Sequence, residues 1–281
     1  LLGLGRGQIR DYASAAGLTW LEDPSNASLA YDRNFLRAEI MPRLHTRWPG
    51  LEQSLGRSAR LNAEAADHLI VSARESGAVG DVDGISLFVV PSDAAGLTMR
   101  GYALMAGGRA AEVTLDDVSV PASARLGEAG NALPAIENAV AAANVALAAE
   151  TMGAMQSATE LTKDYLMTRK QFGRPIGTFQ ALAHRMSDML IELEQARSAV
   201  INAAGHLESD SRIRDMQIAS ARNLMGRVGR LVAEESIQMH GGIAMTQEYE
   251  LAHIAKRITM ADHRFGDTDY HLERFIALSA A

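Results

Sequence analysis

Residues 131–281 carry one kind of pattern almost without relief. Ala, Leu and Met recur at helical spacing among Arg, Glu and Gln, as on helices that bury one face and solvate the other. Gly173-Arg174-Pro175 and Gly241-Gly242 are the clearest interruptions, since proline lacks the donor a helix needs and glycine stops one readily. The pattern predicts helices over residues 131–167, 178–208, 212–240 and 247–262, and a last one over 268–279. More than half the chain is thereby committed to a bundle of amphipathic helices, and the expected fold class is mainly α.

A β-rich stretch precedes the bundle. Leu69-Ile70-Val71 is a short apolar run, and Ser86-Leu87-Phe88-Val89-Val90 ends at Pro91 and reads as a buried strand after the Asp83-Gly84 turn. Glu112-Val113-Thr114-Leu115 and Asp117-Val118-Ser119-Val120 continue the strand pattern up to Pro121. The opening is different again. Asp23-Pro24-Ser25-Asn26 is turn chemistry, and Pro49 opens an expected helix over residues 50–68. The expected boundaries are 1–65, 66–130 and 131–281.

Charge separates the same parts. Residues 1–62 hold eight arginines against six carboxylates, a balance of +2, while the remainder holds 19 basic and 28 acidic residues, a balance of −9. An acidic body does not draw nucleic acid by its overall field, and only the arginine-rich opening could do so weakly. There are no cysteines, which excludes disulfides, thiolate zinc sites and cysteine nucleophiles. The longest run free of charged side chains, residues 138–149, is too short to span a bilayer, and the chain does not open like a signal peptide. It does not begin with Met, as expected of a fragment. A cytoplasmic location is expected. His184, His240 and His253 are expected to satisfy local hydrogen bonds rather than a metal, and the methionines to fill the core.

The opening string Asp23-Pro24-Ser25-Asn26, Arg33-Asn34-Phe35-Leu36-Arg37, Ile40-Met41-Pro42 and Trp48-Pro49 resembles tRNA(Ile)-lysidine synthetase over roughly residues 1–62. That family joins lysine to a tRNA cytidine at the expense of ATP. Gly3-Leu4-Gly5-Arg6-Gly7 has no Ser or Lys at a spacing that would cradle phosphate, so no ligase activity is expected.

From about residue 66 the chain resembles the acyl-CoA dehydrogenases. The match runs through Ile70-Val71-Ser72-Ala73-Arg74, through Asp117-Val118-Ser119-Val120-Pro121 with Leu126-Gly127, and above all through two strings. These are Thr168-Arg169-Lys170-Gln171-Phe172-Gly173-Arg174-Pro175-Ile176 with Phe179-Gln180, and Gln238-Met239-His240-Gly241-Gly242-Ile243-Ala244-Met245-Thr246. The resemblance implies a helical bundle behind a partial β-domain, FAD as cofactor and an acyl-CoA thioester as substrate. It implies electron transfer to an electron-transfer flavoprotein, and a homo- or hetero-oligomer in which FAD is held partly across the interface. Arg169, Gln171, Phe172, Gln180, Gln238, Gly241, Gly242 and Thr268 are the candidate cofactor contacts. Arg169 has planar donors for phosphate, the glutamines have amides for polar edges, and the glycines let backbone N–H groups approach an anion.

The chemistry so implied is removal of an α-proton by a carboxylate and of a β-hydride by the flavin. Two positions where the family carries that carboxylate are empty of one. The string Phe265-Gly266-Asp267-Thr268 has Gly266 in the place of Glu, and Ala143-Asn144 replaces the acid-and-arginine pair used by other members. Asp267 is the candidate base that remains. The string on to Asp269-Tyr270-His271-Leu272 is similar to the small-subunit type, as in pimeloyl-CoA dehydrogenase, which works beside a paralogous partner. The whole reads as a chimera: a lysidine-synthetase-like opening joined to the C-terminal part of an acyl-CoA dehydrogenase, lacking the first strands of the β-domain and half the acyl pocket. A non-catalytic flavin-binding subunit and an RNA-modifying fragment are the alternatives.

Overall fold

The computed structural model describes residues 67–280. The expected opening unit and all but the end of the expected helix over 50–68 lie outside them; His68 belongs to a strand. That strand, β1 (His68–Arg74), pairs antiparallel with β2 (Ile85–Pro91) along its full length, His68 opposite Pro91 and Arg74 opposite Ile85. A separate hairpin follows, β3 (Leu97–Ala103) with β4 (Arg109–Leu115). The two-residue β5 (Arg125–Leu126) then joins β2, giving the order β1-β2-β5. Ser86 is the buried polar anchor of this sheet: its hydroxyl donates to Glu75 and accepts from the Gly130 amide at 2.8 Å.

The strand expected over Asp117–Val120 is not formed. Asp117 has φ 52°, in the left-handed region, so the chain turns there instead of extending, and leads into a short 3-10 turn at Ala122–Ala124. β3 carried no readable alternation because its face is almost wholly exposed, so packing left no periodic mark on it.

The helices are α1 (Leu133–Thr168), α2 (Gln180–Gly205), α3 (Ser211–His240), α4 (Glu250–Ala261) and α5 (Thr268–Ala280). All five expected helices are present, with ends shifted by a few residues. A 3-10 turn, Ile176–Thr178, leads into the second one and takes its expected first residue. Met155, Met189 and Met225 are fully enclosed between α1, α2 and α3, each adding about 1.5–3 kcal/mol of burial. The expectation of methionine as core filler holds there, whereas Met99, Met105, Met167 and Met245 are exposed. Thr151, Thr159 and Thr162 are buried in α1 because each hydroxyl donates to the carbonyl four residues back, at 2.7–2.8 Å. No described helix is long and apolar enough to cross a membrane.

α5 is docked on α3 by a local device. The Arg222 guanidinium, 2% exposed, donates to the carbonyls of Ala261, Arg264 and Gly266, satisfying the open end of α4 and fixing the loop after it. Asn223 donates to the Thr268 carbonyl at 3.0 Å. Gly226 lets the helices close: a Cβ there would stand 1.9 Å from Thr268 Oγ1 and 2.4 Å from Asp262 Oδ1.

Candidate functional site

The two strongest sequence strings meet at one end of the bundle. α1 ends as Arg169 turns extended, and the chain makes a hairpin of β6 (Lys170–Gln171) and β7 (Arg174–Pro175). Its two central residues, Phe172 and Gly173, have φ 53° and 80°, the geometry of a tight two-residue hairpin turn. The Phe172 ring is 90% exposed, edge-on to Phe179 at 6.0 Å, and the Arg174 guanidinium lies 4.3 Å over the Phe179 ring. Arg169, Gln171 and Gln180, the first residue of α2, are all exposed here.

The second string ends α3. Gln238 is exposed in its last turn, and Gly241 stops the helix with φ 70°. Cβ atoms at Gly241 or Gly242 would meet nothing within 4 Å, so this backbone faces open space. A stacked aromatic pair joins the two strings: the rings of Tyr165, one turn before Arg169, and of His240 lie 4.4 Å apart. His240 Nδ1 donates to the Ser236 carbonyl at 2.8 Å, and Nε2 accepts from the Tyr249 hydroxyl at 3.2 Å. Burial lowers the pKa of this ring, which keeps it neutral and the network intact. His253 also has a local partner, the Gln247 carbonyl, as expected; His184 is exposed.

Asp267 and Thr268 lie elsewhere. They sit beside Arg222 and Gly226, and 18 residues of α3, about 27 Å, separate Arg222 from His240. Asp267 is exposed, and its Oδ1 accepts from the Tyr270 amide at 2.8 Å, so it caps α5. The Thr268 hydroxyl donates to Asp262. Glu150, on the exposed face of α1, is 3.9 Å from Arg257.

Beside this loop is a cleft of about 190 Å³ between α1, α3 and α5, with Val140, Ala141 and Ile218 as apolar walls and Phe265 and Tyr270 at one side. Two of its lining side chains are buried and incompletely satisfied. Asn144, 4% exposed, donates to the Val140 carbonyl at 3.0 Å, and its Oδ1 has no partner among the described residues. His271, 3% exposed, has no hydrogen-bond partner on either ring nitrogen among them. Burial pushes its pKa down to about 4, the Arg222 charge adding to this; the nearby Phe265 backbone, outside hydrogen-bonding geometry, and Asp262 pull weakly the other way, and Arg274 again lowers it. Asp215, also on the cleft wall, is committed to Arg214 at 2.8 Å and Arg274 at 2.6 Å. Glu137 stands exposed at the rim.

Gly266 has φ 98°, and a Cβ on it would lie 2.3 Å from Tyr270 Cδ1 and 3.1 Å from His271 Nε2. The position where the family resemblance puts a carboxylate is held by this glycine, as read from the sequence, and its surroundings leave no room for a side chain. Sequence reading passed over His271 and Arg222. The signal available was His271 one helical turn beyond Asp267, on the side of α5 that must face the bundle.

The described architecture has clear relatives. The profile of the acyl-CoA dehydrogenase C-terminal domain matches residues 133–277, from the start of α1 into α5. This chain belongs to the acyl-CoA dehydrogenase family. A probable acyl-CoA dehydrogenase, YngJ of Bacillus subtilis, is 32% identical over 67% of this chain and 50% of its own length. The acyl-CoA dehydrogenase IpdE2 of Mycobacterium tuberculosis is 40% identical over 41% of this chain and 34% of its own. The butyryl-CoA dehydrogenase structure from Megasphaera elsdenii superimposes with a TM-score of 0.69 at 25% identity, covering 78% of this chain and 58% of that one. The chain therefore spans about a third to a half of the length of these curated relatives. A second profile, that of the PP-loop domain, matches residues 1–44, outside the described residues.

Proposed function

We propose that the chain works as an FAD-dependent acyl-CoA dehydrogenase subunit, oxidising an acyl-CoA thioester at its α,β bond. The observation that carries this reading is the convergence of the two specific strings on one solvent-facing end of the bundle, held in register by the Tyr165–His240 stack. The donor set fits a flavin dinucleotide. Arg169 has a planar cation for the pyrophosphate, Gly241 and Gly242 give unobstructed backbone, and Gln171, Gln180 and Gln238 offer amides. Phe172 would cover a ring or ribose from a position that its own bundle leaves bare. A bound flavin supplies the hydride acceptor; the chain's residues bind it, orient it and take the proton.

So exposed a cradle suits a cofactor shared with a second subunit, and we read the working form as a homo- or hetero-oligomer that passes electrons to an electron-transfer flavoprotein. We place it in the cytoplasm, in keeping with a chain devoid of cysteine.

Native mass spectrometry of the purified full-length chain tests this. A dimer or tetramer carrying FAD is the expected result; a flavin-free monomer would overturn the reading. Arg169→Ala is expected to weaken FAD binding by about tenfold to a hundredfold, the effect of losing one charge-assisted contact to phosphate. Unchanged affinity in a flavin titration would remove Arg169 from the site.

A further inference from the structure

We infer that the His271 imidazole is the proton acceptor of this chain, standing where the fold has given up a carboxylate. The inference rests on the dehydrogenase reading above and adds a residue to it. Three observations point the same way. Gly266 cannot supply an acid, and its Cβ position is closed off by the Tyr270 ring, with His271 Nε2 as the nearest polar atom at 3.1 Å. The carboxylates close by are otherwise engaged: Asp267 caps α5, Asp262 accepts from Thr268, and Asp215 is held between two arginines. Glu137 is seven residues of α1 away from Asn144, about 10 Å, and solvated at the rim.

His271, by contrast, is buried, lines the cleft, and offers ring nitrogens that the described fold does not use. Buried polar groups are normally paired, so an orphaned imidazole on a cavity wall marks a place where something else completes the bonding. Asn144 Oδ1, on the α1 side of the same cleft, is a second such orphan. The cleft is about 190 Å³, with polar and apolar walls in similar measure, room for one ring or a short acyl chain, since about 150 Å³ holds benzene. A neutral imidazole so strongly desolvated keeps its lone pair through neutral pH, as an ordinary carboxylate does.

The step is a simple proton transfer. The Cα–H bond of the bound thioester breaks, its electron pair passes to the thioester carbonyl as an enolate, and the proton goes to the imidazole, which becomes imidazolium. In D2O the reverse step returns a deuteron to carbon, and no oxidant is consumed.

Phenylacetyl-CoA is a suitable probe for the full-length chain, because its ring acidifies the α-carbon and it has no β-hydrogen to lose. Exchange of its α-protons in D2O, followed by NMR, is expected to run at least tenfold above background. It should fall to background in His271→Gln. The probe should also move the 15N imidazole resonances of His271 in the unmodified chain, a readout that stands even where the variant fails to fold. Exchange at background, exchange untouched by His271→Gln, or exchange lost in Asp267→Asn or Glu137→Gln instead would overturn the assignment. Flavin content, read by absorbance on the same samples, separates the two levels. FAD bound without exchange sinks the role of His271 alone; exchange without FAD sinks the flavin reading alone.

Discussion

Gly266→Glu, the substitution that would write the family's carboxylate back into this loop, will destabilise the chain by about 4 kcal/mol. Residue 266 holds φ 98°, a conformation that costs a side-chain-bearing residue about 1–3 kcal/mol, and the new Cβ would overlap the Tyr270 ring, with overpacking of this kind costing about 1–3 kcal/mol more. The loop cannot simply turn to relieve this. The Arg222 guanidinium grips the carbonyls of Ala261, Arg264 and Gly266 together, and Asp267 is tied to the first turn of α5. Chemical denaturation of the two proteins measures the difference, and equal midpoints would mean that the loop is softer than its hydrogen bonds indicate.

The second large effect is acid sensitivity centred on His271. Its pKa is depressed from 6.5 to about 4 in the folded chain, so between these values the unfolded chain binds the proton and the folded one does not. Stability contributed by the neutral ring is therefore complete above about pH 6.5 and is progressively lost as pH falls toward 4. A shift of this size corresponds to about 3 kcal/mol. His271→Leu removes the titrating group while filling the same space with carbon, and is expected to flatten the stability profile by that amount over this range. It should cost little at neutral pH, since the lost nitrogens have no hydrogen-bond partner among the described residues. Urea denaturation at several pH values decides it; parallel profiles for the two proteins would show that the burial of His271 carries no proton linkage.

The helices were legible because each buries one long face. In α1, Leu147, Met155 and Leu166 repeat that signal across about five turns, and Pro134, Gly205 and Gly241 mark three of the helix ends. The strand β3 was not, because Thr98, Met99, Arg100 and Tyr102 all face solvent and nothing sorted them by polarity. The segment at Asp117 misled because its apolar alternation is real, while a single left-handed residue cancels the extension. The cofactor strings were readable as strings, but their meeting was not. It depends on Tyr165 and His240, neither of which was singled out for stacking. The cleft escaped for a deeper reason: an orphaned nitrogen is a property of surroundings, and His271 looks like any other histidine until its neighbours are known.

The length of α1 also has a stoichiometric consequence. Asn144 at the cleft and Arg169 at the cradle are 25 residues apart on one helix axis, about 37 Å. On the proposed reading, so wide a separation has each chain hold the phosphates of one cofactor and present its proton acceptor to another. Each reaction centre would then be a composite of two polypeptides. A chain defective at its cleft and a chain defective at its cradle could thus restore one competent centre between them when assembled together, although neither could do so with its own kind.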